Sequence, residues 1–152
     1  MLSIELYTGE CFFDSTKPCR SEHVAKYFTD LAKELQSKNY AKAHIFLDKN
    51  TTHLQKMQDL FYAHIEEQGI KLGVKFHYFA PYSPKLNIVE YLIRIIRQKW
   101  LHHASYKQRL KEVEERLKEK IENEPFITQE QIINILQHIQ DLVLEKNSVL
   151  SP

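Results

Sequence analysis

Hydrophobic and polar positions change rhythm several times along this 152-residue chain. Leu2, Ile4 and Leu6 alternate with Ser3, Glu5 and Tyr7, a period of two that predicts a strand with one covered face. Thr8-Gly9 is a turn signal, and Glu10-Cys11-Phe12-Phe13 reads as the returning strand of a hairpin that Pro18 closes. After Ser21, a candidate N-cap, Val24, Tyr27, Phe28, Leu31 and Leu35 recur at helical spacing. Ala43 to Leu47 is a short continuous apolar run, the pattern of a buried strand. Leu54, Met57, Leu60, Phe61 and Ile65 predict a second helix, ended by Gly69. Val74 to Phe79 predicts another strand. Pro81 and Pro84 then break the backbone. A helix follows from about Leu86 to about His103, with Val89, Ile93, Ile96 and Trp100 inward.

Hairpin, helix, strand, helix, strand, helix is the order of an α/β domain with a mixed sheet. From Ser105 onward the pattern changes. Leu110, Val113, Leu117 and Ile121 form a narrow apolar stripe on a densely charged helix, which Pro125 interrupts. Thr128-Gln129-Glu130-Gln131 is a capping-box pattern, and Ile132, Ile133, Leu136, Ile139 and Val143 continue a last helix. The expected organisation is an α/β part over residues 1–104 and a helical extension over 105–152. The extension either docks on the α/β core or offers a dimer seam.

Composition narrows the class. With 43% hydrophobic and 27% charged residues the chain is an ordinary globular protein. A net charge of +1 confines any surface for nucleic acid to a local patch. No apolar run reaches the ~20 residues of a membrane span, and no secretory signal opens the chain, so a cytoplasmic protein is expected. Cys11 and Cys19 then read as reduced thiols rather than a bridge.

Two carboxylates are the candidate chemistry. Asp48 directly follows the apolar run Ala43 to Leu47, and ligands of α/β sheets gather at the carboxyl ends of strands. Glu90 falls in the first turn of a helix whose approach is fixed by Pro81 and Pro84. Capping and helix-dipole roles are the plain alternatives for these acids. Two acids on neighbouring elements otherwise suit a divalent-metal site for phosphodiester chemistry.

The stretch Pro81-Tyr82-Ser83-Pro84-Lys85-Leu86-Asn87-Ile88-Val89-Glu90 resembles the third-acid motif of mariner-like DDE transposases of bacterial insertion sequences. That motif has the form Pro-Tyr-Ser-Pro-x-Leu-Asn-x-x-Glu, and every fixed position is present. Ile45-Phe46-Leu47-Asp48 resembles the strand that carries the second acid, and His53 matches a histidine five residues later. The Leu6 to Glu10 hairpin and Trp100 are also similar, so the resemblance spans about residues 2 to 105. It implies an RNase H-like mixed sheet and strand cleavage and joining with Mg²⁺ or Mn²⁺. Asp48 and Glu90 would be the metal ligands, and double-stranded DNA at transposon ends the substrate. A packing or phosphate role, rather than a metal-binding one, is expected of His53.

Three departures accompany the resemblance. Lys49 stands where asparagine usually follows the second acid, placed to pair with Asp48 or to meet a phosphate. The spacing of Asp48 and Glu90 is longer than common, which a longer intervening helix accommodates. The family's first acid has no counterpart, since Glu5 lies within the predicted hairpin strand and Asp14 at its far end. The chain is therefore expected to be a partial catalytic domain lacking its first strand, with exposed sheet edges, and inactive alone. The alternative is a non-catalytic module that binds DNA, a second copy or a full-length transposase. Lys49, Arg94, Arg97 and Lys99 are the candidate DNA contacts. The wider basic run adds His102, His103, Lys107, Arg109 and Lys111.

Overall fold

A computed structural model of the chain describes residues 1–15, 20–80, 83–98, 110–123 and 127–149. In chain order the elements are β1 (Leu2–Ile4), β2 (Cys11–Phe13), α1 (Ser21–Ser37), β3 (Lys42–Leu47), α2 (Gln55–Glu67), β4 (Gly73–Tyr78), α3 (Ile88–Ile96), α4 (Leu110–Asn123) and α5 (Gln129–Val149). Short 3-10 turns lie at Thr51–His53 and Pro84–Leu86. Contacts divide the chain into two units, Met1 with Asp14–Ser83, and Leu2–Phe13 with Pro84–Pro152. The fold is mixed α/β. Among the described residues the strands form two two-stranded sheets, β1–β2 antiparallel and β3–β4 parallel, in place of one mixed sheet.

In the first unit, α1 and α2 pack together and cover one face of the β3–β4 pair. The register sets Ile45 beside Phe76 and Leu47 beside Tyr78. Phe76 meets Phe28 and Phe61 edge to face, with centroids 5.5 and 5.1 Å apart. Met57 and Phe61 are fully buried beside Val24, Ala25 and Ala32. Each large side chain removed from water in this way contributes ~1.5–3 kcal/mol.

The helix ends follow local chemistry. After α2, Gly69 takes φ 63°, its amide bonds to Glu66, and the Ile70 amide reaches back to Ile65. After α1, Asn39 plays the same part at φ 65°, with bonds from Asn39 to Gln36 and from Tyr40 to Leu35. Both are left-handed caps that satisfy the last helical carbonyls. Ser21 is not the N-cap of α1. Arg20 is the extended residue before the helix and makes no side-chain cap, while Glu22 in the first turn bonds Lys56 of α2 at 2.5 Å.

The second unit gathers the β1–β2 hairpin, α3, α4 and α5. Its core holds Ile88, Leu92, Ile96, Ile127 and Ile132, flanked by Leu2, Ile4, Leu117, Ile121 and Ile139. The last two helices thus pack in the same unit as α3 and the hairpin. α3 buries Ile88, Leu92 and Ile96, so Ile96 faces inward as expected, while Ile88 and Leu92 take the inward places one residue back from Val89 and Ile93. Thr128 and Gln131 form the expected capping box. The Thr128 amide donates to Gln131 Oε1 at 3.0 Å, and the Gln131 amide to Thr128 Oγ1 at 3.2 Å.

The hairpin strand ends at Ile4 rather than Tyr7 because Glu5 turns the chain. The Glu5 carboxylate accepts from the amides of Tyr7 and Thr8 and from the Thr8 hydroxyl at 2.7 Å. Gly9 then takes φ 76°, and a Cβ there would lie 2.8 Å from the Ile127 carbonyl oxygen. Cys11 carries a free thiol, which burial pushes up to about 11. Cys19, Pro18, Trp100 and Pro125 lie outside the described residues. No helix among the described residues is long and apolar enough to cross a membrane.

Candidate active site

Asp48 stands one residue beyond β3, where the parallel pair ends. The Phe79 amide donates to the Leu47 carbonyl at 2.8 Å, carrying the ladder to the last residue before Asp48. Asp48 caps nothing. Asn50 does that work, its side chain accepting from the Thr52 amide to start the Thr51–His53 turn. That turn brings His53 back onto Asp48, with Nδ1 2.6 Å from Oδ1. The aspartate side chain is 57% exposed and the histidine 20%. Asp48 is thus paired with His53, not with its neighbour Lys49, which is exposed.

A second layer holds the histidine. The Tyr78 hydroxyl donates to the His53 carbonyl, and Gln58 Nε2 donates to the Tyr78 oxygen at 2.7 Å. The end of β4 and the first turns of α2 therefore clamp the loop that carries Asp48. Nothing in the sequence marked Tyr78 or Gln58. A tyrosine closing a strand reads as packing, and only the folded loop brings a backbone carbonyl to its hydroxyl.

Glu90 belongs to the other unit. Asn87 is the N-cap of α3, its side-chain oxygen accepting from the Val89 amide at 3.1 Å. Before it, the Asn87 amide closes the Pro84–Leu86 turn onto the Pro84 carbonyl at 3.0 Å. The Tyr91 hydroxyl ties the same turn by donating to the Lys85 carbonyl at 3.1 Å. These bonds fix the helix start, so Glu90 falls in its first turn, facing solvent. It is set apart from the buried Ile88 and Leu92.

The basic candidates are dispersed. Lys49 is on the loop after β3. Arg94 and Arg97 are exposed on and just after α3, and the Arg94 guanidinium lies 5.9 Å from the Tyr91 ring centroid. Lys99, His102, His103, Lys107 and Arg109 lie outside the described residues, as do Pro81 and Tyr82 of the proline-rich motif. Among the described residues no three His, Cys, Asp or Glu side chains come together as a metal-holding group.

The structure therefore brings together Asp48 and His53, and places Glu90 on a separate, well-defined helix start. No match was found among curated proteins or among solved structures. A family model does match, over residues 1–114, a span that includes Asp48, His53 and Glu90. The chain belongs to the DDE superfamily endonucleases.

Proposed function

We propose that the chain is part of the catalytic domain of a mariner-like transposase of bacterial insertion sequences. It acts in the cytoplasm on double-stranded DNA at transposon ends, and its core takes an RNase H-like arrangement in the assembled enzyme. The observation that carries this reading is the placement of Asp48. It leaves the carboxyl end of a parallel strand, is exposed, and is oriented by His53 rather than spent on a helix cap. The helix start built by Asn87 supports Glu90 as its counterpart.

The donor chemistry fits a hard cation. Only Oδ1 of Asp48 is engaged by a described residue, and Glu90 faces solvent. Asp48 and Glu90 would hold Mg²⁺ or Mn²⁺, which when bound supplies an activated oxygen nucleophile and stabilises the leaving oxygen. His53 keeps Asp48 in one orientation. Lys49, Arg94, Arg97 and Lys99 meet DNA phosphates, an interaction weakened by salt.

The chain alone does not cut DNA in this reading. Glu5, the nearest acid to a third ligand, gives its carboxylate to the hairpin turn. The same observation favours a second reading, a non-catalytic module that binds DNA, a second copy or the full-length transposase. Calorimetric titration with Mn²⁺ tests the first. Binding that is lost in both Asp48→Ala and Glu90→Ala supports a shared site. Absence of binding to the unaltered chain overturns the metal site and leaves the module.

A further inference from the structure

α5 has two apolar stripes. The inner one, Ile132, Ile135 and Ile139, packs on the core of its own unit. Ile133, Leu136, Val143 and Leu144 form the other, and all four are exposed, Ile133 by 49% and Leu144 by 57%. At about 100° per residue, the second stripe lies about 100° around the helix from the first. The elements of the second unit that cover the inner stripe therefore leave the outer one open, wherever the first unit lies.

Spacing, charge and a central amide point to the occupant. Ile133, Leu136, Gln140 and Val143 follow one another at intervals of three, four and three, the repeat of a seam between two helices. Isoleucine at the first seam place and leucine at the second are the preference of a parallel pair. Gln137 and Leu144 flank the seam, so none of these six positions carries a charge. A twofold contact sets each position near its own equivalent, and here it meets no like-charge repulsion. Gln140 would face its equivalent in the middle of the seam. Each carboxamide both donates and accepts, so the pair satisfies itself and fixes the register. Between Gln129 and Glu145, α5 carries no lysine or arginine, which disfavours nucleic acid as the occupant. We propose that the outer stripe of α5 pairs with the same stripe of a second copy, as a parallel two-helix seam. The proposal does not rest on metal chemistry at Asp48.

Sedimentation equilibrium of the full chain, from micromolar to millimolar concentration and with EDTA present, tests this. The unaltered chain passes from monomer to dimer as concentration rises. Leu136→Glu weakens the dimer by about a hundredfold, because it sets two carboxylates together in place of two leucines. Its urea midpoint at low concentration stays that of the unaltered chain, since the side chain lies off the core of its own unit. Gln140→Cys supplies a second measurement that does not depend on the folding of that variant. Facing seam positions in a parallel pair lie within disulfide reach, so mild oxidation links Gln140→Cys into a covalent dimer that the unaltered chain does not form. A chain that stays monomeric throughout overturns the proposal. So does a dimer that Leu136→Glu leaves intact, or the absence of a covalent dimer of Gln140→Cys. A monomeric chain in which Leu136→Glu lowers the urea midpoint would assign the stripe to a contact within the same chain.

Discussion

His53 Nδ1 lies 2.6 Å from Oδ1 of Asp48, five residues back across the turn that follows β3. The imidazole takes one carboxylate oxygen and leaves the other directed by the same bond. A carboxylate held this way loses less freedom on binding a cation than one that swings. His53→Ala is therefore expected to lower Mn²⁺ affinity at Asp48 by about 10–100-fold, the usual effect of removing a ligand's supporting partner. Titration calorimetry on the variant reads it directly. Unchanged affinity would assign His53 to loop packing.

Tyr78 and Gln58 clamp the same loop from behind. Tyr78→Phe removes the donor to the His53 carbonyl and leaves the Gln58 amide without its acceptor. The expected loss is ~1–2 kcal/mol in urea unfolding. Because the two side chains act in one chain of bonds, Gln58→Ala added to Tyr78→Phe should cost less than the sum of the separate changes.

Gly9 is a steric requirement of the second unit. An alanine Cβ would sit 2.8 Å from the Ile127 carbonyl oxygen, at a backbone angle of 76° that L-residues rarely adopt. Gly9→Ala is expected to destabilise by more than ~1 kcal/mol. Gly69→Ala is the control, since it shares the positive φ but its Cβ would meet nothing within 4 Å. A smaller loss at position 69 than at position 9, by thermal unfolding, isolates the steric part.

The Cys11 thiol is raised by burial from the ordinary 9.0 to about 11. Below pH 9 the thiol is protonated whether the chain is folded or unfolded, and its contribution is fully present. As pH rises from 9 the unfolded chain loses the proton first, so stability falls until the folded thiol ionises near 11. Urea midpoints of the unaltered chain and Cys11→Ala should diverge across that window and run parallel below it. At pH 8, Cys11 should alkylate far more slowly in the folded chain than in urea.

What the sequence showed and what it concealed divide along a physical line. Local chemistry was legible. Thr128 with Gln131, Gly69 after α2 and the apolar stripes of α1 and α2 all act within a few residues of themselves. Nonlocal geometry was not. The run Ala43 to Leu47 looks buried throughout, yet alternation at Phe46 depends on what covers the sheet. Ser21 has the chemistry of a cap, but the helix begins upon it. Glu5 fits a strand by period and was drawn into a turn by the Tyr7 and Thr8 amides. Asp48 was marked by its position after a strand, whereas Tyr78 and Gln58 emerge only when α2 and β4 meet.

The Asn87 cap also sets a phase. An α-helix advances about 100° per residue, so the angular position of Glu90 is counted from the residue where the helix begins. One residue inserted between Asn87 and Glu90 would turn the carboxylate by about 100° relative to the cap, and replacing Asn87 would remove the bond that fixes the first turn. The asparagine is in this sense the index mark of a dial on which the glutamate is the pointer. The two residues between them, the buried Ile88 and the partly buried Val89, are fixed in number.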